Sequence, residues 1–278
     1  MGGKMNKPDP EKNHDNWLLL QLWGLDTPIT ALCWSVAIAA LLQITIITPG
    51  PMLLVAAATW CAVIFTRLGA ALTSETAWQA AFYRSHMALL LVLLFSVSMA
   101  TVWMLFFQVG QNVLYYVWAP VFFFCLSRLS AAGWYAQLAL LFQAIAFALA
   151  CCLPAYYFSF TLSPVNMLCN GPVWFLGLLF FLTARERQRL RAGNSTPLEA
   201  IVTTVTLILL LVAALISSVT APMFERKLCI TIAIGAGCLQ GFSRLSTLLP
   251  PQAALALSWL AMALPALLGV ILYAPHSW

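Results

Sequence analysis

The feature that most restricts this chain is where its charges are missing. No Asp, Glu, Lys or Arg occurs from Thr27 to Thr66, from Ser85 to Ser127, or from Leu129 to Ala184. Further uncharged stretches run from Ala200 to Phe224, Leu228 to Ser243, and Leu245 to Trp278. A helix needs about 20 apolar residues to cross a hydrocarbon layer ~30 Å thick, and these stretches supply that length repeatedly. Only 8% of the 278 residues are charged, against about a quarter in soluble domains, so the chain could not clothe a soluble surface. Runs such as Leu89–Leu94 do not alternate apolar and polar residues, which sets aside a membrane β-barrel. The expected fold is all-α: a polytopic helical bundle in a membrane.

Turn residues divide the long runs. Pro49-Gly50-Pro51 interrupts one of them, giving spans over 28–47 and 51–68. Gln108–Asn112, with Gly110 at its centre, separates 87–107 from 111–127. Pro154 and Ser163-Pro164 bracket a link between 133–152 and 165–184, and 199–219, 228–246 and 252–273 follow. Nine transmembrane helices result, with residues 1–26 as a polar tail and 27–278 as one membrane domain. The tail holds Lys4, Lys7 and Lys12 and no apolar core, so it reads as a retained cytosolic segment. With that tail in the cytosol, Arg67, Arg84, Arg128, Arg185, Arg187, Arg189, Arg191 and Arg244 also fall inside. Arg226 and Lys227 alone fall outside. This bias orients the bundle and puts the C-terminus on the outer face.

Ionisable residues inside a membrane are functional candidates because burying them is costly. Here Asp9, Glu11, Asp15 and Asp26 precede the first span, Glu75 sits in a link, and Glu186, Glu199 and Glu225 sit at helix ends. Buried carboxylates for a proton relay are therefore not expected. His14, His86 and His276 are too scattered for a histidine metal site. The eight cysteines lie in or beside apolar segments without a CxxC spacing, as small packing residues do. The run Arg185–Arg191 could grip a phosphate or diphosphate through its guanidinium groups, or simply meet anionic headgroups at the membrane surface. Asn166 and Asn170 lie four apart, on one face of the expected sixth span, as pocket lining or as hydrogen-bonded glue between helices. Gln43, Gln108 and Gln143 read as glue, and Pro120, Pro172 and Pro265 as kinks. The link over 68–85, with Trp78, Phe82, Tyr83 and Arg84, reads as a short interfacial helix.

Three features together resemble the UbiA-type superfamily of membrane prenyltransferases: nine spans with a cytosolic N-terminus, enlarged cytosolic links after spans two and six, and the local sequence. Leu25-Asp26-Thr27-Pro28-Ile29, leading into a span with Trp34, is similar to the family's Leu-Asp-x-Pro opening. Trp60–Arg67 followed by Phe82-Tyr83-Arg84-Ser85-His86 resembles a divergent bacterial branch. The resemblance implies a UbiA-like fold in a bacterial inner membrane, and an isoprenoid or other lipid-like ligand. Its chemistry uses two aspartate-rich motifs whose Mg²⁺ neutralises a departing diphosphate. Laid on that pattern, the first motif's acids fall at Thr66 and Ala70, with only Arg67 kept, and the second link offers Glu186 among four arginines. The expectation is a UbiA-like pseudoenzyme, in contact with membrane lipids and not with nucleic acid. Mg²⁺ enters only if catalysis survives, with Glu75 and Glu186 as its candidate ligands. The ligand-binding candidates are Arg67, Arg84, Arg185, Arg187, Asn166 and Asn170. Two alternatives are an active prenyltransferase with an arginine-based diphosphate site, and a transporter or subunit of a membrane complex.

Overall fold

A computed structural model describes residues 22–44, 49–73, 78–109, 113–130, 135–158, 164–192, 197–249 and 251–273, and all its regular structure is helical. The helices are α1 Asp26–Leu41, α2 Pro49–Thr73, α3 Trp78–Ser85, α4 Met87–Val109, α5 Val113–Ser130 and α6 Ala136–Phe158. They continue as α7 Pro164–Cys169, α8 Gly171–Ala192, α9 Pro197–Thr220, α10 Met223–Leu245 and α11 Pro251–Tyr273. Among the described residues five helices are long and apolar enough to cross a membrane: α2, α4, α6, α9 and α10. That fits a helical integral membrane protein. Large apolar side chains stand exposed along α4 and α9, including Phe95, Trp103, Phe106, Ile208, Leu209 and Ile216. Lipid is the solvent that makes such faces stable.

Several boundaries differ from the sequence expectation for local reasons. α1 stops at Leu41 and does not run to residue 47. Gln43 takes a left-handed φ of 56°. The Ile44 amide then bonds the Ala39 carbonyl and the Gln43 amide bonds Ala40, the pair of bonds that closes a helix in a Schellman motif. Gln43 is thus a helix stop as well as a polar residue. α6 passes through Pro154 to Phe158, because a proline costs a bond without always ending a helix. The expected sixth span breaks at Asn170 into α7 and α8, so Pro172 lies in a first turn, where its missing amide is harmless, and not at a kink. The segment expected to be the weakest span is part of α10, a continuous 23-residue helix. Pro49 opens α2, and α3 forms where the interfacial helix was expected.

α1 packs against α2, α6, α10 and α11, and α8 against α6, α9, α10 and α11. The buried core lies among these helices, with Trp34, Ile38, Leu149, Tyr156, Leu176, Phe180 and Ile232 at its centre. Trp34 packs edge-on to Phe180 and donates its indole N–H to the Met262 carbonyl at 2.8 Å. Pro265 cannot bond back into α11, and the Trp34 bond falls in the turn it loosens. Close helix approach depends on glycine: a Cβ on Gly269 would lie 2.8 Å from the Thr231 side chain, and one on Gly235 2.7 Å from Leu179. α4 and α5 sit outside this core, α4 resting on α2 and α5 on α6.

Candidate functional site

The chain enters α1 through a tight turn. Gly24 has φ +68°, a conformation that costs an L-residue with a Cβ about 1–2 kcal/mol. A Cβ there would also meet Ile64 at 3.1 Å and Val63 at 3.2 Å on α2. The turn is pinned on both sides. Trp60 Nε1 donates to the Trp23 carbonyl at 2.9 Å, and the Tyr83 hydroxyl donates to the Leu22 carbonyl. Tyr83 is buried, and its oxygen also accepts from Arg67 Nη1 at 3.1 Å.

This geometry delivers Asp26 to the first turn of α1 with its carboxylate fully enclosed. Arg67 Nη2, from α2, lies 3.4 Å from Oδ1, and Arg187 Nη2, from α8, donates to Oδ2. One acid therefore ties three helices together. Asp26 precedes the apolar span, and its acidity reflects opposing causes. Burial raises its pKa, but the Arg187 and Arg67 charges and the Arg187 hydrogen bond outweigh burial and bring it below the ordinary carboxylate value. The positive end of the α1 dipole acts in the same direction. Arg187 Nε is buried beside this arrangement without an acceptor.

The arginine run is helical, so its members diverge. Arg187 turns toward Asp26, while Arg189 Nη2 meets Glu186 Oε1 at 2.6 Å, one turn apart on α8. Glu186 is buried. Arg185 takes part in none of these ion pairs. Arg84 stands apart from the Asp26 cluster: its Nε donates to the Ala71 carbonyl at 3.0 Å, capping the last turn of α2. Phe82 stacks on His86 and meets Trp23 edge-on, which fixes α3 against the entry turn. Glu75 and the side chain of Asn166 lie outside the described residues.

A second polar cluster occupies the other end of α8. Asn170 Nδ2 donates to the Tyr156 hydroxyl at 2.6 Å and to Glu225 Oε1 at 2.8 Å. Asn170 lies between α7 and α8, so the shared helical face expected for Asn166 and Asn170 does not exist. Seventeen residues of helix separate Asn170 from Arg187, roughly 26 Å at 1.5 Å per residue. That is close to the thickness of a hydrocarbon layer.

Of the sequence-derived candidates, Arg67 and Arg187 come together, Arg84 and Arg185 stay apart from them, and Asn170 faces the opposite end. Sequence reasoning missed Asp26, Tyr83, Tyr156 and Glu225 as partners. The available signal was Asp26 itself, an acid two residues ahead of a long uncharged run. Among the described residues no group of three His, Cys, Asp or Glu could hold a metal ion. The described acids do not fit a Mg²⁺–diphosphate centre, because Asp26 gives both oxygens to arginines and Glu186 gives one to Arg189. No protein-family model, curated protein or solved structure matches this chain.

Proposed function

We propose that this is a nine-span, UbiA-like membrane protein that holds an isoprenoid or similar lipid without magnesium-dependent diphosphate chemistry. Its nine spans are α1, α2, α4, α5, α6, α8, α9, α10 and α11. The packing of consecutive helices and the return of α11 to α1 support a closed bundle of this kind. The basic tail and links place the Asp26 end in the cytosol, in keeping with a bacterial inner membrane.

The observation that carries the reading is the Asp26 clamp. Two arginines converging at a bundle end form a good seat for a phosphate or diphosphate. In this chain a protein carboxylate takes that seat and satisfies both guanidinium groups. An arriving diphosphate would have to displace a buried, doubly paired acid from within the same molecule. A lipid with an uncharged head meets no such competitor. The arginine-based prenyltransferase gains support from the meeting of Arg67 and Arg187, yet the same pair is already engaged.

The test is to purify the full chain in mild detergent, extract and identify its lipids by mass spectrometry, and assay prenyl transfer in parallel. The expected result is co-purified isoprenoid, with no Mg²⁺-stimulated transfer from prenyl diphosphates to quinone, porphyrin or sugar acceptors. Magnesium-dependent transfer would overturn the reading, and so would a preparation free of isoprenoid.

A further inference from the structure

α4 and α5 are joined through residues 110–112, so Val109 and Val113 are close, yet the two helices barely touch. α4 is held by α2, through Leu90, Leu94 and a Ser98–Cys61 contact at 3.5 Å, whereas α5 is held by α6. They diverge from their link and leave a groove that opens at the end where α5 finishes. Ala58, Phe65 and Leu72 of α2 are spaced seven apart and therefore share a helix face. All three are exposed.

Arg128, near the end of α5, reaches across toward that face. Its guanidinium carbon lies 5.6 Å from the centre of the Phe65 ring. Its Nη2 comes within 3.8 Å of where a Cβ would stand on Gly69. Arg128 is exposed and belongs to none of the ion pairs among the described residues. The groove thus has apolar walls and one cation at its mouth, level with the expected cytosolic headgroups. A neutral lipid would leave that charge unanswered, and a soluble anion would leave the walls unfilled.

We propose that the α4–α5 groove binds an anionic phospholipid, with an acyl chain along the Ala58–Phe65–Leu72 face and the phosphate on Arg128. The site is separate from the Asp26 clamp and does not depend on what the bundle core holds. The aromatic ring beneath the guanidinium keeps it extended across the mouth, where both edges can donate to phosphate oxygens.

The experiment is native mass spectrometry of the full chain with equal amounts of dioleoylphosphatidylglycerol and dioleoylphosphatidylcholine. The wild type is expected to retain the anionic lipid about fivefold over the zwitterionic one, the effect of one well-placed cation near a lipid surface. Arg128→Gln should bring the ratio close to one. Arg226→Gln, a basic residue on another helix, should leave it unchanged. Ala58→Trp should reduce retention of both lipids by filling the groove while sparing the charge. An unchanged preference in Arg128→Gln, or an equal loss in Arg226→Gln, would overturn the proposal, since a general basic surface would then explain the binding. Displacement of the lipid by millimolar inorganic phosphate would also overturn it, because the chain in the groove would then contribute nothing.

Discussion

Replacing Asp26 by Asn keeps the shape of the side chain and removes its charge, leaving Arg67 and Arg187 facing each other across the entry to α1. Removing one partner of a fully buried pair typically costs about 3–5 kcal/mol. The two arginine side chains remain 22% and 14% exposed, so water recovers part of the loss, and we expect roughly 2–3 kcal/mol. Thermal unfolding of the detergent-solubilised protein, followed by monodisperse fraction against temperature, should show a lower midpoint. Adding Arg187→Gln to Asp26→Asn should restore part of the loss, because the stranded charge is the main penalty, and the two substitutions should couple by more than about 0.5 kcal/mol. Inorganic phosphate should stabilise Asp26→Asn more than the wild type, since the vacated seat then accepts an anion.

The pH dependence carries a definite sign. In the folded protein the Asp26 carboxyl titrates below its ordinary value of 3.8. Its contribution is therefore fully present above about pH 4 and fades as pH falls through the lowered value. The gap between wild type and Asp26→Asn should stay constant between neutral pH and about 5, then close in stronger acid. A gap that changes near neutral pH, or midpoints that coincide at every pH, would refute the assignment of Asp26 as the charged centre of the clamp.

Tyr83→Phe removes the hydroxyl that donates to Leu22 and accepts from Arg67. It should cost about 1–2 kcal/mol and speed proteolysis ahead of α1. Gly24→Ala combines a left-handed φ with close contacts to Ile64 and Val63, and should lower the unfolding midpoint by an amount equivalent to at least about 1 kcal/mol. Gly269→Ala forces a methyl against the short, stiff Thr231 side chain. It should cost about 1–3 kcal/mol, and a compensating Thr231→Ala, which clears the space, should relieve most of it.

The apolar runs made the membrane helices legible, and their interruptions located most of them, because helix length and solvent set those patterns together. α3 was readable from aromatic residues clustered beside a basic one. The end of α1 was not, since a glutamine in the left-handed region leaves no compositional trace. Nor was the break at Asn170, where an uncharged run conceals two helices. The candidate site was half visible. Arg67 and Arg187 could be named because charges are rare here, but their shared acid is 41 residues from one and 161 from the other. Only the packing of α1 between α2 and α8 brings them together. Helical phase settled the rest: within one arginine run, Arg187 turns inward and Arg189 turns to Glu186.

The distribution of hydrogen bonds bears on what the bundle can handle. Thr30, Thr59, Thr183 and Thr231 are buried, yet each hydroxyl donates to a carbonyl of its own helix four residues earlier. Such hydroxyls are largely spent and offer little to a polar solute crossing the interior. Stronger polar groups gather at the two ends of α8, in the Asp26 clamp and around Asn170, with an apolar length between them. A polar permeation path needs side chains that can replace water step by step, and those usually mark it in membrane proteins. The long middle of this core offers surface for dispersion contacts with hydrocarbon instead. That balance favours a lipid as the molecule held by the bundle over a polar cargo moved through it, and it makes the charged ends fasteners of the helices that surround such a ligand.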